Sequence, residues 1–292
     1  MVTPFRDGQV DYRVFEKLVE RQVDSGSHGI LVNGTTAEPS TLSVDERNQL
    51  VSAAMSAAAG RIPVVAATGS QSLNETLRLT EYAHDAGVAA ILVVTPYYSR
   101  PPQRGLVAYF EEVARVTSKP ILMYHIPARA AVTVACETLC EIAGKVPNFV
   151  GMKHASTDFV LLTDAIQALG PEFRIFGGIE ELSFPMLCAG ACGLMNAVGN
   201  ISPGVLADLC RAVAAGDLRE GRQLHEKLWK LNRAIFYDVN PIPLKYMMRS
   251  LGLLTSNEHR LPMCPPTTEL AQRLDSVLAS SDCLLDRVAI TG

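Results

Sequence analysis

Residues 120–154 read PILMYHIPARAAVTVACETLCEIAGKVPNFVGMKH. A nearly continuous apolar run, PILMYH (120–125), gives way to a mixed stretch and then to a second run, NFVGMKH (148–154). Neither run alternates apolar with polar, the pattern of a strand covered on both faces and therefore of a parallel sheet. The same unit recurs outward in both directions. GILV (29–32), PVVAAT (63–68) and AAILVVT (89–95) precede it, and RIFGG (174–178) and GLMNAV (193–198) follow. Amphipathic helical stretches lie between. Ser43-Val44-Asp45-Glu46 and Ser72-Leu73-Asn74-Glu75 have the S-x-x-E form in which the Glu at the third helical position reaches back to the cap. Gly87 and Gly170 stand where helices should end. With the N-terminal VTPF (2–5) as a short first strand, the pattern gives eight β/α units. It predicts an α/β chain closed into a (β/α)8 TIM barrel rather than an open doubly wound sheet. VNGTTAEPS after GILV carries one glycine, so no G-x-G-x-x-G dinucleotide loop is present.

From about residue 216 strand signals stop, and helices are expected over 217–237, 243–251 and 267–280. The expected organisation is a barrel over 1–215 and a C-terminal helical extension over 216–292. Only Met1 and Val2 precede the TPF of the first unit, so the first strand is expected to be short or to reflect a late choice of start.

Composition narrows the function. Of 292 residues 48% are hydrophobic and 19% charged, enough for a large core and too apolar for wholesale disorder. Net charge is −4 with no Lys/Arg run to track a phosphate backbone, which speaks against nucleic acid. The longest apolar stretch, Ala86 to Val94, is far short of the roughly 18 residues a membrane span requires, so no membrane partner is expected. The start, MVTPFRDGQVD, has no apolar core of a signal peptide. Seven cysteines without a C-x-x-C pair read as reduced, buried thiols of a cytoplasmic protein.

A β/α barrel carries its chemistry at the C-terminal strand ends. There the runs lead into Thr35-Thr36, Tyr97-Tyr98, Tyr124 with Arg129, Lys153 and Gly177-Gly178. Lys153 is the most informative. Desolvation at an apolar barrel mouth favours a neutral amine, which attacks a ketone to give a Schiff base. A lone strand-end lysine more often simply snorkels outward, so the weight falls on the set. Tyr124 ends the neighbouring strand, and its phenol can move protons at the adduct, with Thr35 and Tyr98 supplying further hydroxyls. Thr35-Thr36 offer amides and hydroxyls to one carboxylate, and Arg129 offers a fork-shaped donor to a second. His125 and His154 follow Tyr124 and Lys153 directly. Strand alternation turns them away from the lysine side, and no acidic residue stands at metal-ligand spacing, so no metal is expected. Neither a G-x-S-x-G elbow nor a P-loop is present.

Assembled, VTPF (2–5), NGTTAEPSTLSVDER (33–47), TPYYSRPPQRGL (95–106), YHIPAR (124–129), GMKHAS (151–156) and NPIPLK (240–245) resemble the dihydrodipicolinate synthase/N-acetylneuraminate lyase family of class I aldolases. The resemblance runs through nearly the whole chain in family order. It implies that Lys153 forms the Schiff base with pyruvate, that Tyr124 shuttles protons, and that Thr35 and Tyr98 complete the relay. Tyr98 comes from a neighbouring subunit in many members. It further implies that Thr36 binds the pyruvate carboxylate, that Arg129 binds the carboxylate of the aldehyde partner, and that Gly178 and Met195 line the pocket. No cofactor is expected, and the assembly is expected to be a homotetramer built as a dimer of dimers.

The departures bear on substrate. Arg129-Ala130-Ala131 replaces the usual R-T-G, Ala37 the usual glycine of GTTGE, and His154 the usual Glu after the lysine. Arg47 and Gln71 stand where lysine-inhibited synthases tend to have His and Asn, which speaks against feedback by lysine. GSHGILVNGT, FGGIEELSFPML and IFYDVNPIPLK look closer to the subgroup called 2,4-dihydroxyhept-2-ene-1,7-dioate aldolase. The sequence-based expectation is therefore retro-aldol cleavage of that dioate to pyruvate and succinate semialdehyde. The alternatives are a 4-hydroxy-tetrahydrodipicolinate synthase condensing pyruvate with aspartate semialdehyde, and a 2-keto-3-deoxy sugar acid aldolase or dehydratase. The non-enzyme reading is a barrel that binds pyruvate without turnover.

Overall fold

The computed structural model describes residues 1–281. The chain divides into two compact units, one formed by 1–63 with the segment from 197 onward, the other by 64–196.

The first unit opens with a hairpin, β1 (Phe5–Arg6) and β2 (Gln9–Val10), paired antiparallel with Phe5 opposite Val10. The turn between them is Asp7-Gly8, both at positive φ (51° and 75°), the handedness that lets a two-residue loop match strand twist. Helix α1 (Tyr12–Asp24) starts at Asp11, whose carboxylate accepts the Val14 amide. It buries Val14, Phe15, Leu18 and Val19, three to four residues apart as one helical face requires. Strand β3 (Ile30–Val32) leads through two short 3-10 turns, Thr35–Ala37 and Pro39–Thr41, to α2 (Val44–Ala58). Ser43 and Glu46 form the complete reciprocal cap expected from S-x-x-E.

The expected first strand is not formed over Met1–Pro4, where no regular pairing is found. The N-terminal ammonium donates to the Leu31 carbonyl and the Val2 amide to Asn200 Oδ1, and Pro4 has no N–H to extend a ladder. Val2 and Thr3 are nevertheless fully buried. The short strand at this end is the β1 hairpin, one step further along.

The second unit alternates strand and helix. In order come β4 (Val64–Ala67), α3 (Leu73–Asp85), β5 (Ala90–Val94), α4 (Gln103–Arg115) and β6 (Ile121–His125). There follow α5 (Pro127–Ala130), α6 (Cys136–Lys145), β7 (Phe149–His154), α7 (Phe159–Leu169), β8 (Arg174–Gly177), α8 (Ser183–Cys188) and β9 (Gly193–Leu194). Each of these strands pairs in parallel with the next, in strict chain order. Ile91, Leu92 and Val93 are each 0% exposed, so consecutive residues are covered on both faces. Each such side chain contributes about 1.5–3 kcal/mol of burial. Phe110 of α4 meets Phe149 of β7 edge-on at 5.6 Å, tying the helix layer to the sheet.

The first unit then resumes with α9 (Pro203–Ala214), α10 (Leu218–Ala234), α11 (Ile242–Ser250) and α12 (Thr268–Ala279); α11 and α12 fall within one residue of the expected helices at each end, while α10 ends three residues before the expected 237. The fold is a (β/α)8 barrel with a C-terminal helical extension. Ala86-Gly87 and Gly170 close α3 and α7, the two glycines at φ 82° and 78°.

The cysteines correct one expectation. Among the described residues Cys188, Cys192 and Cys264 are exposed and Cys136, Cys140 and Cys210 half-buried, all free thiols. Cys283 lies outside the described residues. Helix amphipathicity explains the difference, since α6 buries Thr138, Leu139 and Ile142 and leaves Cys136 and Cys140 at the edge of that face. Partial burial and the neighbouring Cys140 still push the Cys136 thiol up to about 11. No helix of the described residues is long and apolar enough to cross a membrane.

Candidate active site

In the second unit Tyr124 of β6 stands directly opposite Lys153 of β7. Side chains in register on parallel neighbours share a face, and Lys153 Nζ lies 4.4 Å from the Tyr124 ring centroid. Both are buried, at 7% and 6% exposure. Gly178 lies one residue beyond β8, its amide bonded to the His154 carbonyl at 2.9 Å. A Cβ there would sit 2.9 Å from Lys153 Cε and 3.0 Å from the Ala155 Cβ. A side chain at position 178 would push the lysine stem off this path. The Met195 amide donates to the Gly177 carbonyl, so Met195 follows on the next strand end, half-buried. The structure thus brings Lys153, Tyr124 and Gly178 together.

The two histidines sit on the other side of the same strands, as alternation requires. Both are buried, and their rings stack at 5.3 Å with Nδ1 of each 3.2 Å apart. His154 Nε2 lies 3.0 Å from the Asp158 carbonyl, which can only accept, so His154 carries its proton there. Its Nδ1 then accepts from His125 Nδ1–H, which leaves His125 Nε2 buried without a partner. Burial first, and then the charge of His154, lower His125 to about 4 against an ordinary 6.5, Asp158 opposing. His154 is lowered by burial as well. A histidine depressed in the folded state stabilises it above the unfolded value and loses that contribution as pH falls toward the folded value. The unfolding midpoint should therefore drop between pH 6.5 and about 4, His125 accounting for at most about 3 kcal/mol. Urea titrations of wild type and His125→Leu across that window check this, the variant losing less.

Tyr98 and Arg129 belong to the same unit. Tyr98 is 89% exposed in the loop after β5, at a left-handed φ of 71°. Such strain in a non-glycine residue costs about 1–3 kcal/mol and gathers at functional positions. Arg129 is exposed on the one-turn α5.

Thr35 and Thr36 belong to the first unit, half-buried in the 3-10 turn that follows β3. The Thr36 hydroxyl accepts from Asn240 Nδ2 at 2.9 Å. Two residues on, Glu38 adopts a left-handed φ of 57° and is fully buried. Its Oε1 is 2.9 Å from Lys245 Nζ and its Oε2 3.3 Å from His259 Nδ1. Lys245, 0% exposed on α11, also donates to the Glu258 carbonyl and lies 4.4 Å over the Phe5 ring. Burial alone would raise Glu38, but the His259 hydrogen bond and the charge of Lys245 hold it below its ordinary value. Burial also pulls Lys245 down, with Glu38 opposing. Glu38, Asn240 and Lys245 stand in the quoted stretches NGTTAEPS and NPIPLK without being singled out. The usable signal was a lysine on the apolar face of an otherwise apolar helix start, IPLK.

Among the described residues no group of His, Cys, Asp and Glu is placed to hold a metal ion. A sequence model of the dihydrodipicolinate synthetase family matches residues 1–281. The chain belongs to this family. It is therefore an enzyme of the lyase type, in a family that works through a lysine Schiff base with pyruvate and needs no cofactor. The 4-hydroxy-tetrahydrodipicolinate synthase of Thermus thermophilus is 44% identical over 273 residues, covering 93% of this chain and 91% of that protein. The crystal structure of dihydrodipicolinate synthase from Aquifex aeolicus superposes with a TM-score of 0.95 at 36% identity, covering 98% of this chain and 97% of that one. The chloride-inhibited dihydrodipicolinate synthase of Acinetobacter baumannii, solved in complex with pyruvate, gives 0.93 at 34% identity over 97% of both chains. Relatives named for the synthase, not for the dihydroxyheptenedioate aldolase subgroup, are thus what this chain is similar to.

Proposed function

We propose that the chain is a 4-hydroxy-tetrahydrodipicolinate synthase, condensing pyruvate with aspartate semialdehyde. The observation that carries this reading is the buried Lys153–Tyr124 pair, walled by Gly178, in a chain 44% identical to a protein of that name. Lys153 attacks the pyruvate carbonyl and loses water to give an imine, whose methyl gives up a proton to form an enamine. The enamine carbon adds to the aldehyde, and the amine of the semialdehyde then displaces Lys153 as the ring closes. Tyr124 carries protons at these steps, linked through Thr35 and through Tyr98 of a second copy. The extreme exposure of Tyr98 suits a side chain that serves a neighbour, which is the part of the homotetramer reading this chain supports. Thr36 takes the pyruvate carboxylate, Met195 lines the pocket, and exposed Arg129 takes the carboxylate of the semialdehyde. A cytoplasmic location belongs to the same proposal.

The dihydroxyheptenedioate reading shares the Schiff base and the enamine but uses another aldehyde, runs toward cleavage and frees Lys153 by hydrolysis rather than ring closure, so an aldehyde panel decides between them. With pyruvate, aspartate semialdehyde is expected to give cyclised product while succinate semialdehyde turns over at least about tenfold less efficiently. The reverse order would return the dioate reading. In either case Arg129→Ala should raise KM for the acidic aldehyde about tenfold or more, the loss of one charge-assisted pair, and leave pyruvate KM within about twofold.

A further inference from the structure

The turn that presents Thr35 and Thr36 is held by residues far away in the chain. Thr3 Oγ1 donates to the Ala37 carbonyl at 2.8 Å, and the Glu38 carboxylate is fixed by Lys245 and His259. The backbone at this point has little freedom to drift, so the direction of the Thr36 hydroxyl depends on its own partner. That partner is Asn240, 6% exposed, at the C-terminal end of the segment joining α10 to α11. A hydroxyl has one hydrogen and two lone pairs. The Asn240 amide occupies a lone pair, so the hydrogen is left for an acceptor elsewhere. Asn240 Oδ1 is buried with no hydrogen-bond partner, so this side chain is kept in place at a cost, which argues for a function of its donor end.

We propose that Asn240 is a positioning residue: by donating to Thr36 Oγ1 it keeps the Thr36 hydroxyl a donor toward the pyruvate carboxylate. This rests on the reading above that Thr36 binds that carboxylate. Asn240 acts on pyruvate through Thr36 and without chemistry of its own.

The test is a double-mutant cycle of Asn240→Ala and Thr36→Val, with Asn240→Asp alongside. The first readout is the borohydride-trapped pyruvate adduct on Lys153 in the wild type. Its absence would sink the Schiff-base reading itself, separately from Asn240. With the adduct present, its dependence on pyruvate concentration is followed in each variant, together with KM and kcat. Asn240→Ala should raise half-saturating pyruvate about tenfold, with adduct yield at saturation and aldehyde KM nearly unchanged. The double variant should be no worse than Thr36→Val alone. Asn240→Asp, which fills the same space and carries the test should the alanine fail to fold, turns the donor into an acceptor that captures the Thr36 hydrogen. It should be worse than alanine. Wild-type pyruvate dependence in Asn240→Asp, or single effects that simply multiply in the double variant, would overturn the proposal.

Discussion

Lys153→Ala is expected to lose turnover by about 10⁴-fold or more and to yield no borohydride-stable pyruvate adduct. Removal of a residue that forms the covalent intermediate eliminates the pathway rather than slowing one step of it, and losses of that order follow. Lys153→Arg should be equally inactive. Arginine keeps a long basic side chain beside Tyr124 but cannot form an imine, so the pair of variants separates loss of the nucleophile from loss of the side chain. Both proteins should remain folded. The side chain is 7% exposed and its removal breaks no buried ion pair, so a melting point within a few degrees of wild type is expected. Mass spectrometry after pyruvate and borohydride checks the first claim and a thermal melt the second. An adduct in the alanine variant on any other lysine would end the assignment of Lys153.

Lys245→Met should produce the largest loss of stability. Lys245 and Glu38 both have fully buried side chains, 2.9 Å apart. Methionine fills a similar volume but leaves the carboxylate without its countercharge, a defect that costs about 3–5 kcal/mol. At roughly 2–4 °C per kcal/mol the melting point should fall by about 10 °C. Glu38→Gln/Lys245→Met removes both charges and should recover much of that loss. The pH dependence has a definite sign. In the wild type Glu38 is held below its ordinary 4.5, so its stabilising contribution is present above that value and lost as pH falls through the lower folded one. Without Lys245 the burial effect is no longer opposed by that charge and pushes Glu38 upward. The variant therefore takes up a proton more readily, and its deficit against wild type should shrink as the solution is acidified. Paired thermal melts at pH 7 and pH 5 measure this. A deficit that grew on acidification would show that the buried charge is not its source.

How much of this could be read from residues alone follows from what each feature depends on. The β/α alternation was legible because continuous apolar runs such as AILVV in β5 reflect burial on both faces. The Ser43 cap was legible because both of its partners lie within four residues. Lys153 and Tyr124 were legible because each ends a strand, and their opposition then follows from register. The first strand was misplaced because Met1–Pro4 has the right hydrophobicity but a proline in place of a ladder donor. The cysteine burial was misjudged because an apolar neighbourhood in sequence does not say which helix face a thiol occupies. The lysine of IPLK was a local signal for one partner, but the pairings Glu38–Lys245, Glu38–His259 and Asn240–Thr36 were not legible, since each joins residues more than two hundred positions apart and no periodicity links them.

That separation also orders events in time. The turn with Thr35, Thr36 and Glu38 leaves the ribosome well before α11, and Lys245 follows Glu38 207 residues later. At about 5–20 residues per second this is an interval of roughly 10–40 s. Through all of it Glu38 has neither Lys245 nor His259 beside it, and burying it then would be unfavourable. The turn is therefore expected to stay open and hydrated on the nascent chain, and a chain cut short before α11 lacks the residues that fix it. Arrival of Lys245 and His259 is in this sense the step that licenses the turn after β3.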